Sequence, residues 1–245
     1  MAKDIFSLQS VGYAKYRPGY PHKIFEFLST LAPSANAAWD VGTGNGQVAV
    51  GLSAHFKEVL ATDLSGAQIE NAVRKGNITY LVEPGEECSF ASDRFDLITV
   101  GQALHWFDLD RFYPQVIRTL KAGGIFAALG YGLIQVNPQV DQAVSILYRE
   151  ILGAFWDPER THVENHYRTI RFPFKSDMRE FSIKANWDLE DLTGYLNTWS
   201  SVRHYIDRIG SDPVAEFKGE LRKAWGKGPK QIYFPVFMKY GKKVG

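Results

Sequence analysis

The stretch Ala37 to Ala49, AAWDVGTGNGQVA, runs a short apolar strand straight into three glycines at alternate positions, Gly42, Gly44 and Gly46. A glycine-rich turn between a strand and a helix brings backbone N–H groups to a ligand that side chains would keep away. The next apolar run, Glu58 to Leu64, carries Asp63 near its end, about 20 residues beyond the first glycine, where an acidic residue in a βαβ unit accepts hydrogen bonds from a ribose hydroxyl pair. Together these residues describe a nucleoside-cofactor site.

The spacing narrows the cofactor. A dinucleotide fingerprint reads G-x-G-x-x-G, with its third glycine beside the pyrophosphate. Here the run is G-x-G-x-G, and Gln47 stands where that glycine belongs. Asp40, two positions before Gly42, adds a carboxylate that repels a pyrophosphate and suits a cationic ammonium or sulfonium group.

A chain of 245 residues, 45% hydrophobic and 22% charged, is long enough for one large α/β domain or a domain with a substantial insertion. A net charge of +1 gives no electrostatic reason to expect nucleic acid or an anionic membrane as partner, and the basic tail Lys239 to Lys243 is too short to change that. Cys88 is the only cysteine, which excludes an internal disulfide and a cysteine-cluster metal site. The N-terminus has no apolar stretch of signal-peptide length, and no run approaches the ~20 apolar residues that span a bilayer, so a cytoplasmic location is the default expectation.

Along the chain, an aromatic and basic opening (residues 1–20) leads into a predicted helix from Pro21 to Leu31, whose Ile24, Phe25, Leu28 and Leu31 recur at helical spacing. Strand, glycine turn and helix follow as Ala38 to Val41 and Gln47 to His55. Val59 to Asp63 reads as strand two, Gly66 to Arg74 as a helix capped by Ser65 and ended by Gly76-Asn77, and Ile78 to Val82 as strand three. Phe95 to Val100 is the continuous apolar run of a buried parallel strand. Leu109 to Leu120 then reads as a helix stopped by Gly123-Gly124, and Ile125 to Leu129 as strand five. The alternation implies an α/β, doubly wound, Rossmann-like and mostly parallel sheet, whose ligands bind at the carboxyl ends of the strands. Beyond it, residues 138–160 and 186–226 read as mainly helical around strand candidates at Phe181 to Ala185 and Ile232 to Met238. We therefore expect seven strands, a helical cap inserted after strand five, and one domain over residues 1–245: an N-terminal lid (1–20), a cofactor-binding core (33–132), and a mainly helical cap with late strands (138–226).

YAKYRPGYP, DVGTGNGQVA, ATDLS, the GEECSF segment with FDLITVGQALHWFD, and KAGGIFAALGYG succeed one another over residues 5–132 in the order of the motifs of class I S-adenosylmethionine-dependent methyltransferases. The pairing of YRPGYP with QALHWFD resembles the small-molecule branch that includes trans-aconitate methyltransferase, and TWSSVRHY and FPVFMKYG extend that resemblance toward the C-terminus. It implies methyl transfer from S-adenosylmethionine to a small acceptor, often a carboxylate or another oxygen. It further implies that Gly42, Gly44 and Gly46 wall the methionine portion with Asp40 near its ammonium group, and that Asp63 holds the ribose diol. Gly85 and Glu86 would bracket the adenine, although Pro84 stands where many relatives carry an acidic residue. Gln102 would lie at the sulfonium end, and Tyr13, Tyr16 and Arg17 would close over the site.

For the chemistry, a carboxylate acceptor is already nucleophilic and needs only a cation to position it, for which Arg17 or Arg203 is available. A phenol or hydroxyl acceptor would instead call on His105 as base, since an unperturbed imidazole titrates near about 6.5. Each candidate also has a plainer reading: His105 and Trp106 as loop packing, Arg203 and His204 as a solvated helix face, and Tyr195, Trp199 and Tyr205 as core. His162 and His166 at helical spacing near Glu159 lack the further ligands of a metal site, and no metal is expected. Two other classes share the turn and Asp63: a catalytically silent S-adenosylmethionine-binding protein and a nicotinamide-dependent oxidoreductase. Oligomeric state is not legible in the chain.

Overall fold

The computed structural model describes residues 16–244. In chain order the elements are α1 (His22–Leu31), β1 (Ala37–Val41), α2 (Gln47–Ser53), β2 (Glu58–Asp63), α3 (Gly66–Glu70), β3 (Ile78–Val82), β4 (Phe95–Gly101), α4 (Leu109–Thr119), β5 (Leu120–Tyr131), α5 (Pro138–Ile146), α6 (Arg160–Glu164), β6 (Ser176–Trp187), α7 (Leu189–Leu196), α8 (Ser200–Ile209), α9 (Pro213–Trp225) and β7 (Lys230–Lys242). The strands form one seven-stranded sheet in the order β3-β2-β1-β4-β5-β7-β6. The first five pair in parallel, and β7 pairs antiparallel with both β5 and β6. The strand order reverses beside β1, so the crevice beyond the carboxyl ends of β1 and β4 is where such a sheet receives a ligand.

Every residue of β1 is buried. Successive side chains point to opposite faces, and Ala38 accordingly joins a core layer with Ile24, Leu28, Val48 and Leu52, while Trp39 joins the other with Phe95, Phe112 and Phe126. The indole Nε1–H of Trp39 donates to Thr62 Oγ1 at 3.0 Å, which satisfies the polar edge of a fully buried ring. Helices on both faces explain why these strands read as unbroken apolar runs rather than alternating ones. Among the described residues no helix is long and apolar enough to cross a membrane.

Three expectations change. The helix after Ser65 stops at Glu70, and Asn77 does not end it: its side chain donates to Ser53 O and Phe56 O (2.8 and 2.9 Å) and closes the end of α2 instead. Gly123-Gly124 is not a helix stop, because α4 passes directly into β5. Gly123 adopts φ 77° within the strand, where the register against Phe95 to Leu97 shifts, so a glycine signal for a chain break here marks a bulge. Finally, the helices beyond strand five do not form one insertion. α5 and α6 lie between β5 and β6, and α7 to α9 between β6 and β7, while β6 and β7 run 12 and 13 residues, far beyond the short strands expected.

Candidate active site

Beyond β1 the chain reverses through Gly42, Gly44 and Gly46 at φ 64°, 56° and 88°, a region that L side chains rarely adopt. A Cβ on Gly42 would stand 3.0 Å from Ala103 Cβ, and one on Gly46 only 2.1 Å from the Tyr80 hydroxyl. Gly44 has open space beside it, and its N–H donates to Asp63 Oδ2 at 2.7 Å. Asp63 Oδ1 accepts from Ser65 N–H at 2.9 Å, so this carboxylate ties together the turns after β1 and β2.

Asp40 is fully buried beneath the turn. Its carboxylate accepts from Thr43 Oγ1 (2.5 Å) and Thr99 Oγ1 (2.9 Å). Burial pushes its pKa from 3.8 up to about 7 against the opposing effect of those hydroxyls, and Asp63 adds to the rise. Asp40, the glycine turn, Tyr20, Gln102 and Tyr131 surround one pocket. A cation placed there would meet a carboxylate that near neutral pH is held on the edge of ionisation.

Gln102, just past β4, has φ 54° although it is not glycine. Its backbone N–H donates to Leu129 O at 2.8 Å, and its side-chain Oε1 accepts from Tyr131 N–H at 2.9 Å, a pair of bonds to β5 that holds the unusual backbone. The loop after β3 is fixed differently. A Cβ on Gly85 would lie 2.6 Å from Val41 Cγ1, which demands glycine, and buried Glu86 accepts from Asp108 N–H at 3.2 Å. Glu86 is thus engaged with the start of α4, and neither residue borders the pocket around Asp40.

A second pocket shares Gln102 with the first and is otherwise bordered by Arg17, His105, Trp106, Trp156, Asp157, Arg160 and Trp199. Arg17 donates to the Tyr131 hydroxyl (2.6 Å) and to Thr198 O (3.0 Å), and its guanidinium lies 5.4 Å from the centre of the Tyr195 ring. Arg160 donates through Nε to the Tyr148 hydroxyl (3.0 Å) and stands 5.0 Å over the Trp156 ring. Two guanidinium groups therefore border one small pocket. The His105 imidazole is buried, with Nδ1 at 3.1 Å from the Tyr167 hydroxyl. Burial, then the charges of Arg160 and His162, drive its pKa from 6.5 down to about 3. It stays neutral and is too weak a base for the role expected of an ordinary histidine.

The remaining candidates separate. The Tyr16 ring packs against Gly194 of α7 rather than beside the glycine turn, and Tyr13 lies outside the described residues. Arg203 forks onto Asp207 on the exposed face of α8, and His204 Nδ1 bonds to Phe155 O. His162 pairs with Thr169 Oγ1, and His166 stacks on Phe237. Cys88 is a buried thiol beside Arg118 and Gln115, its pKa raised by burial. Arg160 and Asp157 were not singled out by motif reading. WDPER carries no spacing signature, and only the fold brings it to Gln102.

Residues 39–128 match the sequence pattern of a methyltransferase domain. A Dictyostelium discoideum protein described as a methyltransferase is 32% identical over 250 residues, covering 98% of this chain and 95% of that one. A Saccharomyces cerevisiae protein described as an S-adenosylmethionine-dependent methyltransferase is 28% identical over 58% of this chain and 52% of its own length. The solved structure of an Anaeromyxobacter dehalogenans protein, described as a type II methyltransferase, superposes with a TM-score of 0.86 at 40% identity, over 94% of this chain and 99% of that one.

Proposed function

The chain belongs to the S-adenosylmethionine-dependent methyltransferases, and from that premise we propose that it methylates an oxygen of a small-molecule carboxylic acid held in the pocket of Arg17 and Arg160. The observation that carries this reading is electrostatic. Two guanidinium groups border the compartment that shares Gln102 with the glycine-turn pocket, while its imidazole is neutral and a poor base. A carboxylate needs no base to become a nucleophile, whereas a phenol or alcohol does. The motif resemblance to the trans-aconitate branch supports the same acceptor class.

The residues fit the cofactor. Asp40 is a buried carboxylate held by neutral hydroxyls alone among its side-chain partners, a setting completed by an α-ammonium group. Asp63 faces the turn where a ribose diol would find acceptors, and the open space beside Gly44 leaves room for the methionine portion. When bound, S-adenosylmethionine supplies an electrophilic methyl group on a sulfonium. Gln102 forms the partition between the two pockets, and Arg17 and Arg160 orient the acceptor carboxylate across it. Trp106, Trp156 and Trp199 exclude water, which strengthens these charge contacts. Adenine recognition rests on the backbone around Gly85 more than on the Glu86 side chain, which is engaged elsewhere. The segments between β5 and β6 and between β6 and β7, which carry Trp156, Arg160 and Trp199, cap the acceptor. Trp156, Asp157 and Arg160 also border an outer cleft of about 940 Å³ that gives a larger acceptor room to extend.

The test is incubation with S-adenosylmethionine and a panel of small carboxylic acids beside their primary amides. Methyl esters formed from the acids alone support the reading, and methylation of amines or phenols in preference to acids rejects it.

A further inference from the structure

We infer that His105 is a hydrogen-bond donor to the acceptor rather than a base, held as the Nε2–H tautomer by Tyr167, which acts as its positioning residue. The inference rests on the carboxylate reading of the acceptor and begins with a buried hydroxyl. Tyr167 is fully buried, and among the described residues His105 Nδ1 is the one hydrogen-bond partner of its hydroxyl. Its own hydrogen then needs an acceptor, since a buried hydroxyl is rarely left unpaired. His105 Nδ1, at 3.1 Å, supplies one. An imidazole that accepts at Nδ1 carries its hydrogen on Nε2 when neutral. The two ring nitrogens face opposite edges, so Nε2–H points away from Tyr167, and no described residue hydrogen-bonds it. The imidazole borders the pocket of Arg17 and Arg160.

The support behind Tyr167 is costly to build. His166 and Tyr167 are consecutive non-glycine residues at φ 52° and 56°, a conformation L residues rarely adopt. The turn is held by Lys239 of β7, a buried amine donating to Tyr167 O (3.0 Å) and Ile170 O (2.7 Å). Arg160 and His162 oppose protonation of the ring. Arg17 and Asp157 border the same pocket, with His204 3.8 Å from the Asp157 carboxylate. A fixed donor in a pocket bordered by Arg17 and Arg160 completes a site for an anionic oxygen and keeps a competing proton acceptor out of it.

The test is NMR of the whole protein with ¹⁵N-labelled histidine and tryptophan, in which His105→Gln assigns the resonance among the six histidines and Trp106→Phe and Trp156→Phe assign the two indoles. S-adenosylhomocysteine is bound throughout, and the carboxylate probe is benzoate. The expected result is protonation at Nε2 only, no titration from about pH 5 to about pH 9, and a downfield move of the Nε2–H proton as benzoate is added. Tyr167→Phe should mix the tautomers or bring the ring into titration, while binding of S-adenosylhomocysteine is unchanged. Protonation at Nδ1, or titration near the ordinary histidine value, in the unaltered protein overturns the inference whether or not benzoate binds. Benzoate shifting the Trp106 and Trp156 indoles but not His105 rejects the donor role and leaves the carboxylate reading standing. No response of any pocket residue to benzoate removes that reading, and the donor role with it.

Discussion

Asp40, the glycine turn and Asp63 lie within one βαβ unit and are tied to each other by short backbone and hydroxyl bonds, whereas Arg17, His105, Arg160 and Trp199 reach the neighbouring pocket from four separate parts of the chain. The first group is made of positions where the backbone itself is the constraint: left-handed glycines, and a carboxylate that closes two turns. The second is made of side chains whose placement depends on helices packed after β5 and after β6. A βαβ unit can keep one cofactor site while the later segments change the acceptor. Gln102 is the joint between the two, fixed by β5 on one side and bordering both pockets.

If the two regions are distinct, substitutions should divide by what they affect. The largest effect is expected at the turn. Asp63→Ala should weaken S-adenosylhomocysteine binding by two charge-assisted hydrogen bonds, about 3–6 kcal/mol together. Because Asp63 also binds Gly44 N–H and Ser65 N–H, a thermal melt should show a lower Tm as well. Arg160→Ala comes next. It should lower kcat/KM for a carboxylate acceptor by about 1.5–3 kcal/mol of transition-state stabilisation. Steady-state kinetics with varied acceptor would show it, and loss in the cofactor KM instead would move Arg160 to the other region.

Asp40 gives a pH-dependent effect that sharpens the electrostatics of the turn. Its folded pKa of about 7 stands above the unfolded 3.8. Its contribution to stability is therefore fully present below 3.8, is lost as pH rises toward about 7, and is constant above that. Urea melts across this range should flatten in Asp40→Asn. Binding of a ligand ammonium has the opposite sign, so the affinity for S-adenosylhomocysteine should rise with pH up to about 7 and then level. A pH-independent affinity would detach Asp40 from the ammonium. The smallest effect belongs to Arg203→Ala. Its pair with Asp207 is exposed and contributes about 0–1 kcal/mol to stability, and turnover should not change. A large loss of turnover would show that α8 contributes to the acceptor pocket through this face.

Much of the turn region was legible because its constraints are local. A glycine at positive φ leaves its mark in the sequence, and Asp63 follows at the distance that a strand, turn and helix impose. The same reasoning erred where one residue type answers two geometries: Gly123 signalled a helix end and occupies a strand bulge, and Asn77 caps the helix before the one it was expected to end. The acceptor region was legible only where it overlaps a motif, at Arg17, Gln102 and His105. The chemistry of His105 was not, because its pKa depends on burial and on Arg160, far along the chain. Arg160 and Asp157 leave no periodic trace, and only the packing of the segment before β6 places them.

The separation of the two regions is tested most directly by calorimetric titration of S-adenosylhomocysteine into the unaltered protein, Asp63→Ala and Arg160→Ala side by side. The account predicts that Arg160→Ala binds as the unaltered protein does while Asp63→Ala binds far more weakly. Equal losses in both variants, or a larger loss in Arg160→Ala, would contradict it.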